Sequence, residues 1–142
     1  MTRLISSEKI VRALSINSSD FLNQPLTTNP VSLVYNNIFP YQKVPSAQDT
    51  ATTFITMKFG YKPSDVYYKL SIVYFYVITH ISLVRTDYGN LRYDFIISEI
   101  DKLFNQQRGI GIGKLPFYDM SDFQVDSDWL GAYIGYKSTE FN

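Results

Sequence analysis

The sequence predicts an α+β fold, one domain in which a mixed or antiparallel β-sheet packs against two main helices. Three observations predict it. Residues 91 to 105 carry apolar side chains on a single helical stripe. Thr50 to Phe59 and Val66 to His80 are rich in β-branched and aromatic residues. Turn residues, Gly60-Tyr61-Lys62-Pro63-Ser64-Asp65, separate these two runs.

In chain order, Ser6-Ser7-Glu8-Lys9 offers a helix N-cap ahead of Ile10, Val11, Ala13 and Leu14, which predicts a short amphipathic helix over residues 6 to 15. Asn17-Ser18-Ser19-Asp20 ends it. From Phe21 to Asp49 the chain carries prolines at positions 25, 30, 40 and 45 among many polar residues, so irregular backbone is expected. Within it, Val31 to Tyr35 reads as a short strand and Asn36 to Pro40 as a turn.

Thr50 to Phe59 places Thr53, Ile55, Met57 and Phe59 on one side. Val66 to His80 is the strongest strand signal. One face carries Leu70, Ile72, Tyr74, Tyr76 and Ile78, and the other Val73, Phe75 and Val77. Apolar character on both faces predicts a covered strand, with a helix on one side and a neighbouring subunit on the other.

Thr86 to Asn90 reads as a turn, and the helix from Leu91 to Asn105 buries Leu91, Phe95, Ile96, Ile100, Leu103 and Phe104, while Arg92, Glu99 and Lys102 face away. Gln106 to Gly113 connects it to two late strands, Lys114 to Met120 and Leu130 to Ser138. The domain divides into an N-terminal helix region (1–20), a Pro-rich segment (21–49) and the sheet with its main helix (50–142).

A chain of 142 residues buries roughly two-thirds of its unfolded surface without needing disulfides or metal. Thirteen basic and thirteen acidic residues cancel, which argues against nucleic-acid specificity, since phosphate binding draws on excess Lys and Arg. No polybasic stretch addresses a membrane surface. The most apolar segment, Leu70 to Ile78, is far shorter than the roughly 20 residues of a spanning helix, and the N-terminus lacks a signal-peptide apolar run. With 12 Tyr, 10 Phe and 1 Trp the chain is aromatic-rich; Tyr suits both strand positions and subunit interfaces, where its ring packs and its hydroxyl stays wet.

The residues give no support to catalysis. Cys is absent, which removes thiol nucleophiles and Cys-based zinc sites. His80 is the single histidine, and its place at a strand end suits a structural hydrogen bond. Gly109-Ile110-Gly111-Ile112-Gly113-Lys114 imitates a phosphate loop, but Arg108 stands at the first Gly position and Leu115 where a hydroxyl must hold magnesium. Asp119, Asp122, Asp126 and Asp128 read as a solvated acidic loop, lacking the turn glycine and terminal Glu of a calcium loop. No cofactor and no metal is expected.

The order of elements carries a resemblance. An N-terminal helix is followed by a Pro-rich segment ending in Ile38-Phe39-Pro40-Tyr41-Gln42-Lys43-Val44-Pro45, a strand, and a long strand closing in His80. Then come Arg92-Tyr93-Asp94-Phe95-Ile96-Ile97-Ser98-Glu99-Ile100-Asp101 on a helix and a terminal strand pair. This order resembles the small tail-terminator and tail-completion proteins of tailed bacteriophages and related neck proteins. The polar stretch Leu22 to Asn37 departs from that pattern.

The resemblance implies a non-enzymatic virion protein, assembled in the host cytoplasm and placed at the tail–neck junction. It would form a homo-oligomeric ring, usually a hexamer, that caps the head-proximal end of the tail tube and ends its growth. Its partners would be itself, the tail tube protein and the head–tail connector or stopper protein. The candidate interface residues are Tyr41, Gln42, Lys43, Tyr74, Tyr76, Asp119, Asp122 and Asp126, with the loops Gln42 to Thr50 and Asp119 to Asp128 meeting tube and neck. A head-completion or stopper protein, or a small enzyme or ligand-binding domain with a pocket behind the sheet, are the alternative readings.

Overall fold

A computed structural model of the chain describes residues 2–46, 49–63, 68–105 and 117–141. The glycine loop 109–114, the first residues of the expected 66–80 strand and Lys114 to Pro116 of the expected late strand lie outside the described residues.

The N-terminal helix forms in two pieces, α1 (Thr2–Ser6) and α2 (Glu8–Ser15). Ser7 separates them, because its hydroxyl accepts from the Ile10 amide and caps α2. Glu8 pairs with Arg12 one turn on, at 2.7 Å. The opposite face of α2 buries Ile10, Val11, Ala13 and Leu14.

The Pro-rich segment is more ordered than its composition suggests. Val31 to Tyr35 is not a strand: Pro30–Leu33 is a 3-10 turn, started by the Asn29 side chain accepting from the Val31 amide. Tyr35 then takes a left-handed φ of 66°. This reverses the chain so that Ile38–Phe39, expected in a turn, form strand β1.

Four longer strands complete the sheet: β2 (Thr53–Pro63), β3 (Tyr68–His80), β4 (Phe117–Gln124) and β5 (Trp129–Phe141). β2 runs on through Gly60 to Pro63, where turn residues alone predicted an end. Their order is β1-β2-β3-β5-β4. β1 joins β2 in parallel, and every other pairing is antiparallel, so the sheet is mixed. β3 is an interior strand flanked by β2 and β5, so its backbone is paired within the chain and has no edge to offer a neighbour.

Helix α3 (Arg92–Phe104) packs with α2 across one sheet face. Its Phe95, Ile96, Ile100 and Phe104 meet Ile55, Met57, Phe75, Val77, Ala132 and Ile134 in the main core. Two expectations for α3 are corrected. Arg92 does not face away but is 0% exposed, and Glu99 is also buried, reaching Lys102 at 3.0 Å.

Arg92 is buried because it finishes a helix. The last carbonyls of α2 lack intrahelical partners, and the guanidinium supplies them. Nη1 donates to the carbonyls of Ala13 and Ile16, Nη2 to those of Asn17 and Ser18, and Nε to that of Leu83. All of the donors an arginine owns are used. The negative end of the α2 dipole favours the positive charge, and the Phe21 ring lies 4.7 Å beneath it.

Candidate functional site

The side of the sheet away from the helices carries the feature most suited to recognition. Period-2 alternation sends Tyr74, Tyr76 and Ile78 of β3 to that side, with Phe54, Thr56 and Lys58 of β2 and Trp129, Tyr133 and Lys137 of β5. Strand register then assembles the rings. Tyr76 stands opposite Tyr133, with centroids 5.5 Å apart, and Tyr74 lies 5.9 Å from Tyr133. Phe123 of β4 closes on Tyr76 at 5.9 Å, and Tyr118 on Tyr74 at 6.4 Å. These are tilted and edge-on pairs, the arrangements ring quadrupoles favour.

Two backbone features make room. Gly135 sits opposite Tyr74, and a Cβ there would lie 2.7 Å from its ring. A register shift between Phe117 and Asp119 marks a bulge in β4, which brings both Tyr118 and Asp119 to this face. The Tyr133 hydroxyl donates to Asp119 at 3.0 Å, and that bond raises the Tyr133 phenol above its ordinary value. Burial raises Tyr76.

One end of the face is closed by the chain itself. Phe39, Phe54, Ile78 and Trp129 form a second buried cluster, and Tyr41 leans on Phe39 at 5.8 Å. The Lys43 ammonium sits 4.5 Å over the Phe39 ring and 5.7 Å over that of Phe54. His80 meets Trp129 edge-on at 5.0 Å, while its Nδ1 accepts from the Ser82 amide and caps the 3-10 turn Ile81–Leu83.

The expected interface residues therefore scatter. Tyr74, Tyr76 and Asp119 come together on the tyrosine face. Tyr41 and Lys43 pack at its closed end, with Gln42 exposed between them. Asp119, expected both in the late strand and at the start of the acidic loop, is on strand β4. Asp122, expected in the loop, is on it too, because β4 runs on to Gln124, and the alternation turns Asp122 to the opposite side. There its charge helps raise the Asp94 carboxyl and the Tyr93 phenol, after burial in both cases. Asp126 belongs to the β4–β5 turn, where it accepts from the amides of Asp128 and Trp129.

Tyr133, Tyr118, Phe123 and Lys58 join the surface without having been singled out. Alternation along Leu130 to Ser138 puts Ala132, Ile134 and Tyr136 inside, so it implies an outward Tyr133. Only the β3–β5 register places that ring on Tyr76.

A cleft of about 540 Å³ opens on the helical side between α3 and β4, lined by Asp94, Ile97, Ser98, Asp101, Asn105, Phe117, Met120 and Ile134. Asp101 already accepts from the buried Tyr136 hydroxyl at 2.8 Å. Among the described residues, no group of three or more His, Cys, Asp or Glu could hold a metal ion, and no helix is long and apolar enough to cross a membrane.

No curated protein and no solved structure matches the chain. A family model, YomW, matches residues 7–138, a span running from the Ser7 cap of α2 into β5. The chain thus belongs to the YomW family, which is phage-associated.

Proposed function

We propose that this chain is a structural virion subunit that closes into a ring at the head-proximal end of a phage tail tube, stops tube growth and joins the tail to the head connector. The observation that carries the reading is the tyrosine face in a phage-associated chain. Among the described residues, helices cover one side of a single sheet, while the other presents half-buried tyrosine rings packed against one another, amphipathic groups suited to a protein–protein contact. The element order, two N-terminal helices, a β-hairpin, a helix and a closing strand pair, also fits the tail-terminator pattern. Such a subunit acts by shape, so no residue has a catalytic role.

The cleft between α3 and β4 gives the ligand-binding alternative little support. His80 lies on another part of the molecule, and the carboxylates there are Asp94 and Asp101, the second engaged by Tyr136.

Electron microscopy of virus particles made without this chain tests the reading. Tails of irregular length, detached from heads, are the expected result. Normal-length tails joined to filled heads would overturn it. Leaking heads beside separate normal tails would assign the chain to the connector as a stopper.

A further inference from the structure

The sheet ends in two unlike open edges. Among the described residues, β4 pairs only with β5, so its outer edge is unpaired along Phe117–Gln124. β1 covers β2 only at Ile55 and Thr56, and among the described residues nothing pairs with the outer edge of β2 from Met57 to Pro63. Exposed edges of this length are templates for another strand.

The two edges match in register. Following the pairings across the sheet, Phe59, Val73, Tyr136 and Phe117 stand in one row, and Lys58, Tyr74, Gly135 and Asp119 in the next. Phe59 and Phe117 are both on the helical side and both unusually open, 62% and 45% exposed. Lys58 and Asp119 are both on the tyrosine side. Each edge thus offers an apolar ring on one face and, on the other, opposite charges at the same height.

Charge also decides which edges can meet. Among the described side chains, the β2 edge carries Lys58 and no acid, and β4 carries Asp119 and Asp122 and no base. Pairing β4 with β4, or β2 with β2, sets like charges across a ladder, which is unfavourable. Pairing β4 with β2 joins opposites. Strand direction agrees: β2, β3, β5 and β4 alternate, so β4 of one copy beside β2 of a copy rotated about an axis along the strands is antiparallel.

We propose that copies of this chain join head to tail, the Phe117–Met120 edge of one sheet pairing antiparallel with the Met57–Gly60 edge of the next. Asp119 meets Lys58 and Phe117 meets Phe59. The inference rests on the ring-forming reading above and supplies its interface. A contact between two different edges repeats with the same rotation and builds a ring where that rotation closes, whereas a self-complementary contact stops at a dimer.

The chain has no cysteine, so paired cysteines test the contact cleanly. Phe59→Cys and Phe117→Cys are placed together in one chain, and purified protein and assembled particles are both treated with oxidant or a short bismaleimide. A ladder of linked multimers is expected. Each single variant alone should stay unlinked, and a mixture of the two singles should give dimers only. Lys58→Asp or Asp119→Lys should weaken self-association roughly tenfold per contact, with the double exchange restoring it.

Absence of the ladder in both preparations, or linkage of either single variant to itself, overturns the pairing. Rings seen without the ladder overturn the pairing and leave the proposed function standing. A ladder from a chain whose loss still gives normal, joined tails overturns the tail role and leaves the pairing.

Discussion

Arg92 donates to the carbonyl of Ala13 across 2.8 Å, fixing the start of α3 against the end of α2. One side chain thereby unites segments more than seventy positions apart, with only backbone carbonyls as its acceptors. Burial pulls the guanidinium below its ordinary value, yet arginine stays charged at neutral pH. Replacing it with Met strands those carbonyls in the interior. We expect Arg92→Met to cost about 3–4 kcal/mol in urea unfolding. Arg92→Lys should recover little, because an ammonium lacks the planar fork that reaches acceptors on both sides. A Lys variant as stable as the parent would contradict this account.

Gly131 and Gly135 should respond differently to alanine. A Cβ on Gly131 would lie 1.8 Å from the Val77 carbonyl oxygen, which is backbone, so β5 cannot keep its register with β3. At Gly135 the obstacle is the Tyr74 ring, which can swing away. Gly131→Ala should fail to accumulate as folded protein. Gly135→Ala should fold with a loss of about 1–3 kcal/mol and a changed near-ultraviolet tyrosine signal. Equal effects at the two sites would refute the distinction.

The pH response of the cleft follows from Asp94. Burial, then the charge of Asp122, raise its carboxyl above the ordinary value of 3.8. A raised folded-state value means that ionisation opposes folding. The contribution is favourable below the ordinary value and is lost as pH rises through the raised one. Asp122→Asn removes the repulsion, so it should raise the melting temperature slightly at neutral pH and leave it unchanged in acid. Melting curves across that range check it, and a gain equally large in acid would count against it.

Tyr35 is exposed and holds a left-handed φ of 66°, which costs an L-residue roughly 1–2 kcal/mol. Asparagine tolerates this region better. Tyr35→Asn should therefore stabilise the chain by about 0.5–1 kcal/mol. A loss would mean that the Tyr35 ring contributes more than its backbone strain costs.

Much of the architecture was legible because it is periodic. Residues 91–105 announced α3, and the alternation in β2, β3 and β5 assigned each side chain its face. The misses were local or long-range. Val31 to Tyr35 looked like a strand because β-branched residues outweighed the Asn29-Pro30 start signal. Arg92 looked solvent-facing because a charge is normally solvated, and most of its acceptors lie far off in sequence, at the end of α2 and in the residues that follow it. The second half of β4, with Asp122, looked like a loop because β4 carries polar residues on both sides, as an edge strand can. Of the tyrosine face, Tyr74 and Tyr76 were visible in the sequence. The neighbours of Tyr133 and Tyr118 depend on register and a bulge, which bring Tyr133 to Tyr76 across 57 positions and Tyr118 to Tyr74 across 44.

The placement of β5 between β3 and β4 has a consequence for synthesis. The chain makes β2 and β3 first, then α3 and β4, and only afterwards the strand that separates β3 from β4. Until β5 emerges from the ribosome, the apolar β3 has one bare edge and β4 has no partner at all. Closure waits on contacts distant in sequence, the slow kind, and the nascent chain passes through an adhesive stage. The β4 edge proposed above to pair with a second copy is in place only once this late strand has formed.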